Sequence, residues 1–104
     1  RTVSRDGDTS AANAAVTRTI AASATEAWEV NRVVCSYSAT TGTGTLEISF
    51  GGTVYFSQYI NGGGVFVLPF QEGFNPSGIR NEALEVTLSA GGIGITGKLD
   101  VFYA

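Results

Sequence analysis

"TLEISFGGTVYFSQYI", residues 45–60, carries the clearest secondary-structure signal in this chain. In its first half apolar and polar residues alternate, with Leu46, Ile48 and Phe50 on one side, which predicts a β-strand with one buried face. Two glycines follow, and glycine readily adopts the positive φ angles that a tight two-residue turn requires. The second half is again rich in β-branched and aromatic residues. The stretch therefore predicts an antiparallel β-hairpin.

Short apolar runs of similar length lie on both sides of this hairpin. A first strand is predicted near residues 15–22 and a second over about 27–39, where the apolar alternation changes phase near Asn31–Arg32. One extra residue at that point predicts a β-bulge. Pro69 has no backbone N–H, so it is expected at the end of a strand or at a sheet edge. The remaining predicted strands are "VFVLPF" (65–70), "EALEVTLSA" (82–90) and "KLDVFYA" (98–104).

This pattern of short strands indicates the fold class. About seven or eight strands in roughly ninety residues, with a turn every 8–12 residues, are typical of a β-sandwich or jelly roll, with a small closed barrel as the alternative. We predict an all-β jelly-roll sandwich of about 7–8 antiparallel strands over residues 15–104. An extended N-terminal arm over residues 1–14 is predicted to precede it. Within "TSAANAAVTR" (9–18) the alanines also allow one turn of helix.

The charge balance narrows the choice of partners. Only 14% of the residues are charged and the net charge is −3, so the chain has no electrostatic footprint for nucleic acid. No apolar run reaches the roughly 18 residues that a membrane-spanning helix needs, and we expect neither nucleic acid nor a membrane as a partner. Residues 1–18 nevertheless hold three arginines against two aspartates. The predicted arm is therefore either an ordinary polar tail or a segment that lies on an acidic protein neighbour.

The residue types that usually carry catalysis or bind metal are scarce. The chain has no histidine and one cysteine, Cys35, which lies in an apolar strand pattern and is predicted to be a small core residue. Asp6, Gly7 and Asp8 match only a fragment of a calcium loop, so they are predicted to form a flexible acidic turn. We therefore predict no catalytic residue, no cofactor-binding residue and no metal site, and we expect that the protein is not an enzyme.

"GGIGITGKL", residues 91–99, matches parts of two nucleotide-binding motifs. From its second glycine to its lysine it follows most of the phosphate-loop pattern, but Leu99 occupies the position of the metal-binding Ser or Thr. A phosphate loop also needs a helix that begins at the lysine, and only five residues follow Leu99. We predict instead the loop of a last antiparallel hairpin, with Ile93 and Ile95 against the end of the sandwich and Lys98 in solvent.

The strand after the Gly-Gly turn has apolar residues on both faces. Tyr55 and Tyr59 lie on one face, whereas Val54, Phe56 and Ile60 lie on the other. This pattern predicts a strand that is either covered on both sides or part of an oligomer interface. Carbohydrate binding is another use of exposed aromatic rings, but the sequence offers no cluster of Asn, Asp and Trp to accompany them.

Two stretches resemble a known class of protein: "CSYSATTGTGTLEISFGGTVYFSQYINGGGVFVLPF" (35–70) and "LEVTLSAGGIGITGKLDV" (84–101). The features that carry the resemblance are "SYSA" before a short strand, the "GG" turn, a second strand and a Gly-rich turn before "VFVLPF". Over roughly residues 33–103 the chain resembles small jelly-roll domains of tailed-bacteriophage virions. Such domains are found as capsid decoration (cement) proteins and as appended modules of other virion proteins.

The resemblance implies a structural role in a virus particle. It implies a protein that binds and stabilises the phage head shell by contact with the major capsid protein, as a homotrimer on the capsid surface of a virion assembled in the host cytoplasm. The alternative is a receptor- or glycan-binding module of a phage tail or head fibre. Neither role requires a cofactor. The residues that we predict to contact a partner are Arg1, Arg5, Tyr55, Tyr59 and Phe74.

Overall fold

The computed structural model of the chain describes residues 2–41, 44–60, 64–70 and 75–104. Among these residues it contains eight strands and no helix, which confirms the all-β prediction. The strands are β1 (Ser4–Thr9), β2 (Val16–Ile20), β3 (Val30–Tyr37), β4 (Thr45–Phe50), β5 (Thr53–Tyr59), β6 (Gly64–Pro69), β7 (Leu84–Leu88) and β8 (Gly97–Tyr103). In the described residues, therefore, no helix long enough to cross a membrane is present.

The strands form two antiparallel sheets of four strands each. The first sheet has the order β1-β8-β3-β6 and the second has the order β2-β7-β4-β5. Apart from β4 and β5, each strand lies in the opposite sheet from the strand before it in the chain. This strand order is that of a jelly roll, which confirms the predicted sandwich and not the closed barrel.

The hairpin predicted over residues 45–60 is present. β4 pairs with β5, and the turn between them is formed by Gly51 and Gly52, whose φ angles are 59° and 85°. Positive φ at both turn positions is the type I′ geometry, which matches the twist of the flanking strands. Leu46, Ile48 and Phe50 of β4 are buried, as their alternation predicted.

The predicted bulge in the second sequence-based strand is also present, although that strand, β3, is shorter than predicted. The register between β3 and β8 shifts between Val30 and Arg32, at the point where the apolar alternation changes phase. Because of this shift, both Val30 and Val33 point into the core, together with Cys35. Pro69 is the last residue of β6, an edge strand, as its missing N–H predicted.

The prediction of an extended arm over residues 1–14 differs from the structure over Ser4–Thr9, which form β1 and pair with β8. Asp6 and Asp8, expected in a flexible turn, thus lie within a strand. They stand opposite the buried Val101 and Leu99 of β8 and so lie on the side of the first sheet that is turned toward the second sheet, where Asp6 is half-buried and Asp8 is exposed. Apolar alternation could not reveal β1, since its inward-facing positions are charged.

The segment 91–99 does not close a hairpin, so that prediction is wrong. β7 belongs to the second sheet and β8 to the first, and the segment crosses from one sheet to the other. Ile95 packs against the core as predicted, whereas Ile93 is 93% exposed. Lys98 is exposed, as predicted, on β8.

The core lies between the two sheets. Tyr37 is buried in it and donates a hydrogen bond from its hydroxyl to the Ser89 carbonyl oxygen, at 2.8 Å. Apart from Pro76, the fully buried large side chains come from four strands, two in each sheet, so the sheets are held together along their length. They are Leu46, Ile48, Leu84, Leu88, Leu99, Val30, Val33, Val86, Val101 and Cys35.

Candidate functional site

The edge of the sandwich formed by β1 and β2, here called the charged edge, is joined by ion pairs. Arg18 of β2 donates from Nε and Nη2 to Oδ1 of Asp6, at 2.8 Å in both cases. Its Nη1 donates to Oδ2 of Asp8 at 3.1 Å. Because β1 and β2 belong to different sheets, one guanidinium connects the two sheets at this edge.

Arg5, one of the predicted partner-contact residues, lies on the outer face of β1 and pairs with the carboxylate of Asp100 on β8. Gly7 stands directly opposite Asp100, and a side chain at Gly7 would collide with that carboxylate. The glycine therefore leaves room for the pair to form. Arg5 is thus held within a sheet, not carried on a free arm.

The opposite edge of the sandwich, formed by β5 and β6 and here called the apolar edge, contains no charged residue. Of the eight large hydrophobic residues that are exposed in the described parts of the chain, five lie on these two strands. They are Val54, Tyr55, Tyr59, Val65 and Val67. Exposed apolar surface that is concentrated in this way is typical of an interaction site.

The two tyrosines predicted to contact a partner lie on this apolar edge. Tyr59 is 81% exposed and Tyr55 is 59% exposed, although the Tyr55 ring also meets the Phe50 ring edge to face at 5.9 Å. Toward the interior, Phe56 meets Phe70 in a second edge-to-face contact, also at 5.9 Å. Both edge strands thus expose hydrophobic side chains in the isolated chain. The other two predicted contact residues, Arg1 and Phe74, lie outside the described residues.

The outer face of the first sheet carries three exposed cations, Arg5, Arg32 and Lys98, and is here called the cationic face. Arg5, Phe102 and Arg32 occupy neighbouring positions across β1, β8 and β3. The Arg32 guanidinium lies 4.2 Å from the centre of the Phe102 ring, a favourable cation–π distance. Within the described residues, Arg32 and Lys98 form no ion pair. Their charges are therefore available to a partner.

The outer face of the second sheet has the opposite charge. Glu47 and Glu85 are exposed there on the neighbouring strands β4 and β7. Hydroxyl side chains surround them, and Thr17 and Thr87 lie within hydrogen-bond distance of each other, at 3.1 Å. The two outer faces of the sandwich are thus electrostatically distinct, in a chain whose net charge is −3.

The titratable groups of the core do not form a reactive site. Burial raises the pKa of the Cys35 thiol from 9.0 to about 11, which opposes formation of the nucleophilic thiolate. Burial also raises the pKa of the Tyr37 hydroxyl. Within residues 2–41, 44–60, 64–70 and 75–104, no three Asp, Glu or Cys side chains come together in a way that would hold a metal ion.

Sequence reasoning found the tyrosines of the apolar edge and missed the cationic face. Arg32 and Lys98 are far apart in the chain and share a face only because β3 pairs with β8. Val65 and Val67 were assigned to a strand, but their position on the outer face of the first sheet follows from the pairing of β6 with β3. The alternation along β3, β6 and β8 indicates which residues share a face; the pairing of these strands had to come from the structure.

No protein-family model matches the chain, and no curated protein sequence matches it. Among solved structures, the chain is similar to the CBM36-1 domain of a multidomain xylanase from the hindgut metagenome of Trinervitermes trinervoides. The TM-score is 0.47 and the sequence identity is 13%, over 89% of this chain and 71% of that chain. The jelly-roll description therefore depends on the strand order of the chain itself.

Proposed function

We propose that the protein is a non-catalytic binding module of a larger assembly, and specifically a decoration protein that binds and stabilises a bacteriophage head shell. The observation that carries this proposal is the cationic face, which lies on one side of an otherwise acidic chain. A sheet face on which the cations Arg32 and Lys98 form no ion pair with another described residue, and on which Arg32 lies against the Phe102 ring, suits a protein surface that is acidic and partly apolar. The major capsid protein is the proposed partner.

The cationic face is better suited to binding another protein than to catalysis. Arg32 offers a planar guanidinium that is already oriented against Phe102, so little side-chain entropy is lost when it meets a carboxylate. Apolar residues continue the same face along β3 and β6, with Val34 and Val67 as cross-strand neighbours. Many copies bound to an assembled shell would stabilise it by mass action without catalysis. The sequence resemblance to virion jelly rolls supports the choice of a capsid over other acidic surfaces.

The experiment is cosedimentation of the purified protein with empty head shells of the virus that encodes it. A double variant, Arg32→Gln with Lys98→Gln, removes two charges from the cationic face. Arg80→Gln removes the charge of an exposed arginine that lies in the loop before β7. We expect the double variant to bind at least about tenfold more weakly than the wild type and to lose most of the salt dependence of binding. Arg80→Gln should bind like the wild type.

Two results would contradict the proposal. One is that the wild-type protein does not sediment with shells. The other is that Arg80→Gln weakens binding as much as the double variant does. Copy number in purified virions provides an independent measurement, because a decoration protein is present in hundreds of copies and a tail module in a few.

A second candidate function is glycan binding, and the position of Tyr59 favours it. Its ring is 81% exposed beside the polar outer face of the second sheet, opposite Thr45 and diagonal to Glu47. Sugars bind to such surfaces by stacking on the ring and by hydrogen bonds to nearby carboxylates and hydroxyls. Glycan-array binding that disappears with Tyr59→Ser, while Arg32→Gln leaves it unchanged, would favour this function over shell binding.

A further inference from the structure

The four edge strands of the sandwich differ in their protection against pairing with other strands. Natural edge strands are protected by charged side chains, by inward-pointing charges, by proline or by bulges. β1 contains three charged residues, β2 has the inward-pointing Arg18, and β6 ends at Pro69. β5, "TVYFSQY", has neither charge nor proline. Its register shift at Tyr55 leaves Phe56–Tyr59 as a regular, unprotected edge.

We propose that β5 pairs antiparallel with β5 of a second copy of this chain, about a two-fold axis. The two second sheets then become one continuous sheet of eight strands, in the order β2-β7-β4-β5 followed by its reverse. Main-chain N–H and C=O groups of β5 that do not pair with β4 find partners in the second copy. The main-chain edge of β5 is thereby covered.

The strand composition favours a second copy as the occupant. In a two-fold antiparallel pair the residues near the middle of β5 lie opposite themselves or their close neighbours, so a charge in the middle of β5 would approach its own copy. β5 carries no charge, and such self-pairing therefore brings no like charges together. Tyr59 and Phe56 are exposed and partly exposed in the isolated chain, and they lie on opposite faces of β5.

The symmetry of this pair has a consequence for the outer faces. The two-fold axis between two antiparallel strands of one sheet is perpendicular to that sheet, so corresponding faces of both copies point the same way. The two cationic faces thus lie on the same side of the pair. If the proposed function holds, this arrangement raises the affinity for a shell through simultaneous binding by both copies; the pairing itself does not depend on that function.

The contact is compact, and we expect reversible association. The regular part of β5 spans four residues, about 13 Å, and neighbouring sheets lie about 10 Å apart. This footprint is smaller than the roughly 800 Å² per partner that stable complexes bury. The mass of the particle should therefore rise with protein concentration.

The test is sedimentation equilibrium of the purified chain over a range of concentrations, without shells. Ser57→Lys places a charge in the middle of the β5 edge, and Thr19→Lys places one on β2, the opposite edge of the same sheet. The two variants are closely matched: both sites are exposed, and each new lysine lies opposite a glutamate, Glu47 or Glu85. Neither is expected to destabilise the folded chain, which thermal unfolding will check.

We expect the wild type and Thr19→Lys to approach twice the chain mass of 10.8 kDa as concentration rises, and Ser57→Lys to stay at the single-chain mass. A wild type that remains a single chain throughout, or equal association of the two variants, would overturn the proposal. A limiting mass of three chains would overturn it in favour of the trimer that the sequence resemblance implies.

Discussion

At the charged edge, Arg18 connects β2 to β1 through two aspartates, whereas at the apolar edge β5 and β6 present no charged side chain. Each edge is formed by one edge strand from each sheet, so the two edges do not differ in topology. The side chains differ: one edge satisfies its charges within the chain, and the other exposes Tyr59 and Val65 to solvent. An edge that is complete in the isolated chain needs no partner. The apolar edge is therefore the better candidate for assembly.

The prediction with the largest expected effect concerns the stability of the core, which lies between the two edges. It is tested at alkaline pH. The Cys35 pKa is about 11 in the folded chain and 9.0 when unfolded, so the unfolded chain loses its proton first as pH rises. The contribution of the buried thiol to the free energy of unfolding is fully present below pH 9. It decreases by about 3 kcal/mol as the pH rises from 9 to 11. Urea unfolding of the wild type at several pH values should show this loss.

Cys35→Ala is the control for the alkaline loss, because alanine does not ionise. Its unfolding free energy should fall less steeply than that of the wild type between pH 9 and pH 11. Equal slopes for the two proteins would mean that the buried thiol does not contribute to the alkaline loss of stability.

Arg18→Ala breaks the charged edge and has the next largest expected effect. It leaves the carboxylates of Asp6 and Asp8 without their shared cation at a partly buried position. The cost lies between that of an exposed pair and that of a buried one, about 1–3 kcal/mol in the free energy of unfolding. Arg80→Ala, at an exposed position, should change the free energy of unfolding by less than about 0.5 kcal/mol.

Chemical denaturation at low and high salt measures this difference between Arg18→Ala and Arg80→Ala. Salt screens the ion pairs, so the cost of losing Arg18 should decrease at high salt. If both variants unfold with the same free energy, Arg18 does not hold the charged edge together. The contrast between the two edges would then lose its energetic basis.

The two edges also show how far sequence alone reaches. Period-two alternation in β4 and the phase change near Asn31 predicted a hairpin and a bulge, because burial imposes that pattern on strands. β1 escaped prediction because its inward positions are Asp6 and Asp8, whose partner, Arg18, lies in another sheet. The alternation of residues along one short stretch gives no information on an ion pair between two distant strands.

Of the two candidate surfaces, one could be predicted from the sequence and the other could not. Tyr55 and Tyr59 were found because their strand is apolar on both faces, which is a property of one short stretch. The cationic face was missed because it combines residues of β1, β3 and β8. Pairing between distant strands creates it, and a single sequence gives no direct signal for that pairing.

Amide hydrogen exchange of β5 and β2, compared at low and high protein concentration, tests the central claim most directly. If β5 pairs with a second copy, its amides that do not bond to β4 should exchange more slowly at high concentration, by about the factor 1 + [protein]/Kd. The amides of β2, at the charged edge, should exchange equally at both concentrations. Exchange of β5 that is independent of concentration, as in β2, would contradict the account.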